Sequence, residues 1–162
     1  TLIVHQLIRV AQNTNGVKQG SYQNYRLYCS KRLRRIRRAV RFLHGHGKKG
    51  KYIARKLSPE VSVDSRYLEL LVIYTERAWS YALELKDLSE NPAHFRSGHH
   101  STKKLRKARL WADQLLEICE AVADERTILE ATAYNAYITS YLYVHEKLAK
   151  EANNLFLKPS KV

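Results

Sequence analysis

Residues 22–43, YQNYRLYCSKRLRRIRRAVRFL, decide how the rest of this chain is read. At helical spacing Tyr22, Tyr25, Cys29, Leu33, Ile36, Val40 and Leu43 share one stripe, in steps of three and four residues. That is the pattern of a helix face packed on a core. Between them stand Arg26, Lys31, Arg32, Arg34, Arg35, Arg37, Arg38 and Arg41, with no acid among them. Like charges one helical turn apart destabilise an isolated helix, so this arrangement favours a polyanion that relieves the repulsion. All but Lys31 are arginines, whose planar fork suits bidentate contact with phosphate or base edges. Arg34, Arg35, Arg37 and Arg38 are expected to point away from the apolar stripe.

Outward from this stretch, the charge balance is the informative quantity. The 162 residues hold 29 Lys and Arg against 15 Asp and Glu, a net charge of +14. Fourteen of those cations lie between Lys18 and Lys56, where there is no acid, so the other 15 (29 − 14) cancel the 15 acids. A surface built for solubility intersperses both signs. Charge of one sign in one segment points to nucleic acid first, then to an anionic membrane or an acidic protein. Hydrophobic residues make up 44%, with only three prolines and six glycines, which predicts one folded helical domain over residues 1–162. With no methionine, the chain is expected to be a piece of a longer protein. Its opening TLIVHQLIRV is too short and too polar for a membrane span, and no membrane insertion is expected. Cys29 and Cys119 both fall on apolar stripes and read as reduced core thiols.

Periodicity divides the chain into about five helices with no strand. Leu2 to Gln12 is the first, with Ile3, Leu7 and Val10 on one face. A turn over 13–20 follows, then Ser21 as the cap of the arginine helix, which is expected to run to Leu43 and stop at Gly45. Lys48 to Ser62 is a basic loop. Arg66 to Leu88, capped by Asp64 or Ser65, has two apolar faces and belongs at the centre of a bundle. After Asn91-Pro92 the chain is loop-like to Ser101. A helix then begins at Ser101 or Thr102 and runs to Val122, with Leu105, Ala108, Ala112, Leu115, Cys119 and Val122 on one stripe. The last helix begins near Thr127, which forms a capping box with Glu130. Its expected core face is Ala133, Tyr137, Ser140, Val144 and Leu148. Short connections make neighbouring helices antiparallel, and the small residues on their faces give the bundle a tetratricopeptide-like character.

Further candidate contacts follow from charge. Arg96, Lys103, Lys104, Arg106, Lys107 and Arg109 form a second cluster, the last five expected in the first turns of a helix, where cations oppose the macrodipole. Lys48, Lys49, Lys51, Arg55 and Lys56 suit a phosphate-gripping loop, and Tyr28 and Tyr52 could stack on unpaired bases. The histidines have no thiol or carboxylate spacing for a metal site, and no cofactor is expected. No nucleophile elbow, phosphate loop or paired-carboxylate motif suggests an enzyme. For DNA, the chain lacks a zipper, zinc ligands and helix-turn-helix spacing. For RNA, the regular A-form major groove is too deep and narrow for a helix, so a loop, bulge or junction must widen it. A scaffold for an acidic protein, using Tyr134, Tyr137, Tyr141 and Tyr143, is the alternative reading.

Three blocks carry a resemblance. Tyr25–Arg37 (YRLYCSKRLRRIR), Asp64–Lys86 with its ERAWSYA core, and Lys104–Ala108 (KLRKA) are similar to the RNA-binding domains of the signal recognition particle's sixty-eight-kilodalton protein family. The resemblance implies an all-helical, monomeric domain that binds particle RNA near a junction and internal loop. There the arginine helix enters the major groove, bends the RNA and opens the loop. It places that role on Lys31, Arg32, Arg34, Arg35, Arg37, Arg38 and Arg41; Arg26, another cation of the same helix, is a candidate outside that set. It also implies a cytoplasmic particle, with assembly in the nucleolus, serving protein targeting to the endoplasmic reticulum. The seventy-two-kilodalton partner of that family is expected to bind a C-terminal region this chain lacks.

Overall fold

α1 (Val4–Thr14), α2 (Tyr22–Ala39), α3 (Ser65–Ser89), α4 (Ser97–Val122) and α5 (Glu125–Phe156) are the helices of a computed structural model that describes residues 2–60, 64–94 and 96–156. This is the expected all-α architecture. α2, α3, α4 and α5 lie side by side in chain order, and α1 spans from α5 to α3. Residues 61–63 and 95 of the two expected loops lie outside the described residues.

α3 holds the centre because it is apolar on nearly every side. Leu68, Leu70 to Tyr74, Ala78, Trp79, Ala82 and Leu83 are all buried on it, and α2 and α4 cover its two flanks. Its start is fixed by Asp64, whose Oδ1 accepts from the Arg66 backbone N–H at 2.9 Å. α4 begins at Ser97, a turn earlier than expected, and Ser101 then lies inside the helix. The Ser101 hydroxyl donates to the Ala82 carbonyl at 2.7 Å and ties α4 to α3.

Other departures from expectation have physical causes. α2 stops at Ala39, and Leu43 is exposed because Phe42 turns inward instead, at 1% exposure. Ser21 precedes α2, but its side chain makes no capping bond. A small antiparallel ribbon, β1 (Gly45–His46) and β2 (Tyr52–Ile53), pairs Gly45 with Ile53 and His46 with Tyr52. The expectation of no sheet is corrected to that extent, since two residues per strand are too few for alternation to show. On α1 the buried residues are Val4 and Ala11, while Ile3 and Val10 of the expected face are exposed.

α5 departs most. The expected core residues Tyr137, Val144 and Leu148 are 53%, 55% and 57% exposed, and Ala133 and Ser140 are exposed as well. The core instead takes Ala131, Tyr134, Ile138 and Leu142. This helix carries two stripes of comparable spacing, and the fold turns inward the one on which Tyr134 reaches Glu76. The Thr127–Glu130 capping box is corrected too, because α5 starts at Glu125. Thr127 Oγ1 accepts from Leu2 N at 3.1 Å and Glu130 Oε2 from His5 N at 3.2 Å. Glu130 thus satisfies an orphan donor in the first turn of α1, and Thr127 holds the residue ahead of its N-cap, rather than the start of α5.

The Glu76 carboxylate on α3 is buried in the core. Tyr25 of α2 donates to its Oε2 at 2.7 Å, Gln12 of α1 to the same oxygen at 2.8 Å, and Tyr134 of α5 to Oε1 at 2.6 Å. Burial drives its pKa above the ordinary 4.5, against the opposing pull of these donors. The folded state therefore holds this proton more tightly than the unfolded chain. The resulting stabilisation is complete below the ordinary value and is lost as pH rises through the raised one. Cys29 and Cys119 are buried and unpaired, and burial pushes the Cys119 thiol up to about 11.

Glu76→Leu should destabilise the fold by about 3 kcal/mol or more in urea unfolding, since three donors lose their acceptor. Glu76→Gln should cost less and should flatten the decline of stability between mildly acidic and neutral buffer. An unchanged unfolding midpoint for Glu76→Leu would show that the network does not hold the helices.

Candidate nucleic-acid interface

Burial of Tyr25, Cys29, Leu33 and Ile36 against the core sets the rotation of α2, and with it the direction of every cation on the helix. Lys31, Arg34, Arg35 and Arg38 are exposed, and none has an acidic partner among the described residues. The other α2 cations are tethered. Arg26 forms a two-pronged pair with Glu84, with Nη2 to Oε1 at 3.1 Å, and lies 4.7 Å over the Tyr81 ring. Arg32 donates through Nε and Nη2 to Glu69 Oε1, the Nε contact at 2.8 Å. Arg37, expected to point away from the stripe, instead lies across α3. Its Nε donates to Tyr74 Oη at 2.7 Å, Nη2 reaches the same oxygen, and the guanidinium sits 5.0 Å from the ring centre.

Arg41 occupies a special position. The Phe42 N–H bonds the Arg37 carbonyl at 2.8 Å and the Arg41 N–H bonds the Arg38 carbonyl at 3.2 Å, which closes α2 in a Schellman motif. Arg41 is the left-handed residue of that motif, with φ 53, where glycine is favoured. A cation stands here at a conformational cost.

Immediately beyond, the ribbon carries Lys48, Lys49, Lys51, Tyr52, Arg55 and Lys56, all exposed. It is tied back to the end of α2. Arg55 N donates to His44 Nδ1 at 3.1 Å, and its side chain reaches the Arg41 carbonyl at 3.3 Å while covering Phe42. Tyr52 packs on the His44 ring at 5.1 Å. Burial, then the nearby Arg37, lowers the His44 pKa. Tyr28 is half-buried, with one face of its ring parallel to that of Tyr25 at 6.0 Å.

On the far flank of α3 the second cluster divides. Lys104 lies 4.8 Å over Tyr81 and Lys107 4.7 Å over Trp111, whereas Arg106 pairs with Glu146 and Arg109 with Asp113. Lys103 and Arg96 are exposed. Because α4 starts at Ser97, Lys103 and its followers lie beyond the first turn, and the macrodipole argument no longer bears on them.

Charge counting overlooked α3 itself. Tyr74 stacks on Trp111 at 4.6 Å, and Arg77, without an acidic partner among the described residues, lies 6.0 Å from the Tyr74 ring. Burial lowers the Arg77 pKa, and Arg37 and Arg26 push it the same way against the opposing influence of Tyr74. Arg26 and Arg37 of α2, Arg77 of α3, and Lys104 and Lys107 of α4 therefore sit on one aromatic row of Tyr74, Tyr81 and Trp111. The available signal was an arginine set between Tyr74 and Tyr81 on an otherwise packing face.

Arg41→Gly should raise stability by up to about 1 kcal/mol, read as a higher melting temperature. A lower melting temperature would mean that the Arg41 side chain, rather than its backbone, closes the helix.

The chain is similar to known proteins along most of its length. The family model described as RNA-binding signal recognition particle 68 matches residues 17–158. Signal recognition particle subunit SRP68 of Drosophila melanogaster is 36% identical over 156 residues, covering 94% of this chain and 25% of that protein. The subunit of the same name from Dictyostelium discoideum is 38% identical over 141 residues, covering 85% of this chain and 23% of that protein. The chain thus spans about a quarter of the length of these relatives. The solved structure of the SRP68-RBD from Chaetomium thermophilum superposes with a TM-score of 0.71 at 21% identity, over 88% of this chain and 71% of the other, a likeness of fold. On the family match across residues 17–158, this chain belongs to the RNA-binding signal recognition particle 68 family.

Proposed function

We propose that this domain binds signal recognition particle RNA near a junction and internal loop, with α2 entering a widened major groove and bending the RNA as it opens the loop. The observation that carries this reading is the set of exposed cations Lys31, Arg34, Arg35 and Arg38, with Arg41 just beyond, that have no acidic partner among the described residues, on a helix whose opposite face is fixed in the core. A helix with its side chains is about 10–12 Å across, too wide for the regular A-form groove. The RNA must yield, because the helix is anchored on α3 and cannot be reshaped. Lys48, Lys49, Lys51, Arg55 and Lys56, with Tyr52, extend the contact beyond the C-terminal end of α2. Arg77, Lys104 and Lys107 extend it across α3 onto α4. Arg26, Arg32 and Arg37 orient the helix from its two flanks and meet phosphate only as a secondary task.

In this reading the domain serves a cytoplasmic particle in co-translational targeting to the endoplasmic reticulum and performs no catalysis. It acts as a single copy, and the seventy-two-kilodalton partner engages other parts of the full-length relatives. The alternative scaffold for an acidic protein has less support. Tyr134 is spent on Glu76, and the exposed Tyr137 and Tyr143 lie on α5, outside the basic segment of the chain.

With about six phosphates neutralised, log K should fall with log salt at a slope of about −5. Replacing Arg34, Arg35 and Arg38 together by alanine should not lower the melting temperature and should reduce that slope by about 3. A salt-independent affinity, or an unchanged slope in the triple variant, would remove the arginine helix from the interface. A duplex with an internal loop beside a three-way junction should bind more tightly than a perfect duplex of equal length. Equal affinities would leave only general polyanion binding.

A further inference from the structure

Between α1 and the α2–α3 pair lies a cleft of about 410 Å³, within the range of roughly 300–1,000 Å³ typical of small-ligand sites. Leu7 and Val10 of α1, Tyr28 of α2 and Ile73 of α3 give it apolar walls, and the Arg32–Glu69 pair closes its polar end. Val10 is 58% exposed there and Glu69 only 9%. Nothing in the contact of α2 with an RNA groove requires this cleft.

Its chemistry is selective. Both Arg32 donors go to Glu69 Oε1, and Oε2 takes no hydrogen bond among the described residues. An acceptor therefore stands at the polar end of a slot with apolar walls, beside the most basic helix of the molecule. A phosphate is repelled by this carboxylate. A flat group with apolar faces and hydrogen-bond donors on its edge fits. RNA supplies such a group as a splayed-out base, which proteins hold by stacking and by bonds to its edge. Guanine presents an imino N–H and an amine side by side, whereas uracil flanks its one imino N–H with two carbonyl oxygens that oppose a carboxylate. Lys31 and Arg35 lie one turn from Tyr28 and Arg32 on α2, where they can hold the flanking phosphates.

We propose that this cleft takes one unpaired guanine from the loop of the bound RNA, so that Glu69, held in place by Arg32, reads the base while the outer arginines hold the backbone. This rests on the RNA-binding reading above and adds base selectivity to it.

The test uses the 162-residue chain and an internal-loop RNA in which each unpaired guanine is replaced in turn by inosine, which lacks the amine, or by uridine. At one position inosine should weaken binding about three- to tenfold, the effect of one lost hydrogen bond, and uridine should weaken it further. Val10→Trp, at an exposed position, fills the cleft. It should abolish this discrimination while the salt slope and the melting temperature stay unchanged. Equal affinity for guanosine, inosine and uridine at every loop position, with the salt slope intact, would overturn the guanine site and leave the arginine-helix interface standing. Discrimination that survives Val10→Trp would likewise overturn it. Loss of salt-dependent RNA binding altogether would remove the RNA reading and the cleft proposal with it.

Discussion

A single buried carboxylate fixes how this domain presents itself. Glu76 sits on the central helix and accepts from side chains of α1, α2 and α5. Burying such a group is unfavourable unless its lone pairs are filled, and three donors fill them here. Each donor comes from a different helix, so the network and the apolar stripes beside it turn α1, α2 and α5 toward α3. Tyr25 does this for α2. With Tyr25 turned inward, Lys31, Arg34, Arg35 and Arg38 are turned outward, and the basic face inherits its direction from a contact in the core.

The cations of α2 then fall into two kinds. Arg26, Arg32 and Arg37 reach sideways to Glu84, Glu69 and Tyr74 on α3. Partly exposed pairs of this sort add little to stability, about 0–1 kcal/mol each. Their consequence is orientation, because they grip the helix from both flanks. The outward cations have no such partner among the described residues and repel one another, a strain that a polyanion relieves. Arg41 shows the same bias in the backbone, with an arginine standing where a helix ending favours glycine.

Much of this was legible in advance, for reasons that differ between helices. α2 and α4 each have one apolar stripe flanked by charge, so Tyr25, Cys29, Leu33, Leu105, Ala108 and Leu115 could be assigned to the core by spacing alone. The two apolar faces of α3 announced its central place. α5 offered two stripes, and periodicity chose Tyr137 and Val144 where the fold uses Tyr134 and Leu142. On α1, Ile3 and Val10 read as core although they border a cleft. At the interface, charge counting found the cations but not their state, since Arg32 and Arg37 look like Arg34 and Arg38 until α3 is placed beside them. It also passed over Arg77, a lone arginine whose importance comes from Tyr74 and Trp111 around it.

The sequence by itself determined the helical class, the basic character of one segment and the family relationship, because periodicity, net charge and matching blocks are properties of consecutive residues. It also determined the inward face of α2, whose single stripe leaves one way to pack. Only the tertiary structure decided which cations are free and which are tethered, which stripe of α5 is core, and how Arg77, Lys104 and Lys107 join α2 across an aromatic row. Those outcomes depend on residues far apart in the chain, such as Arg32 with Glu69 or Tyr134 with Glu76. A pairing of that kind exists only once packing has brought two helices to hydrogen-bonding distance.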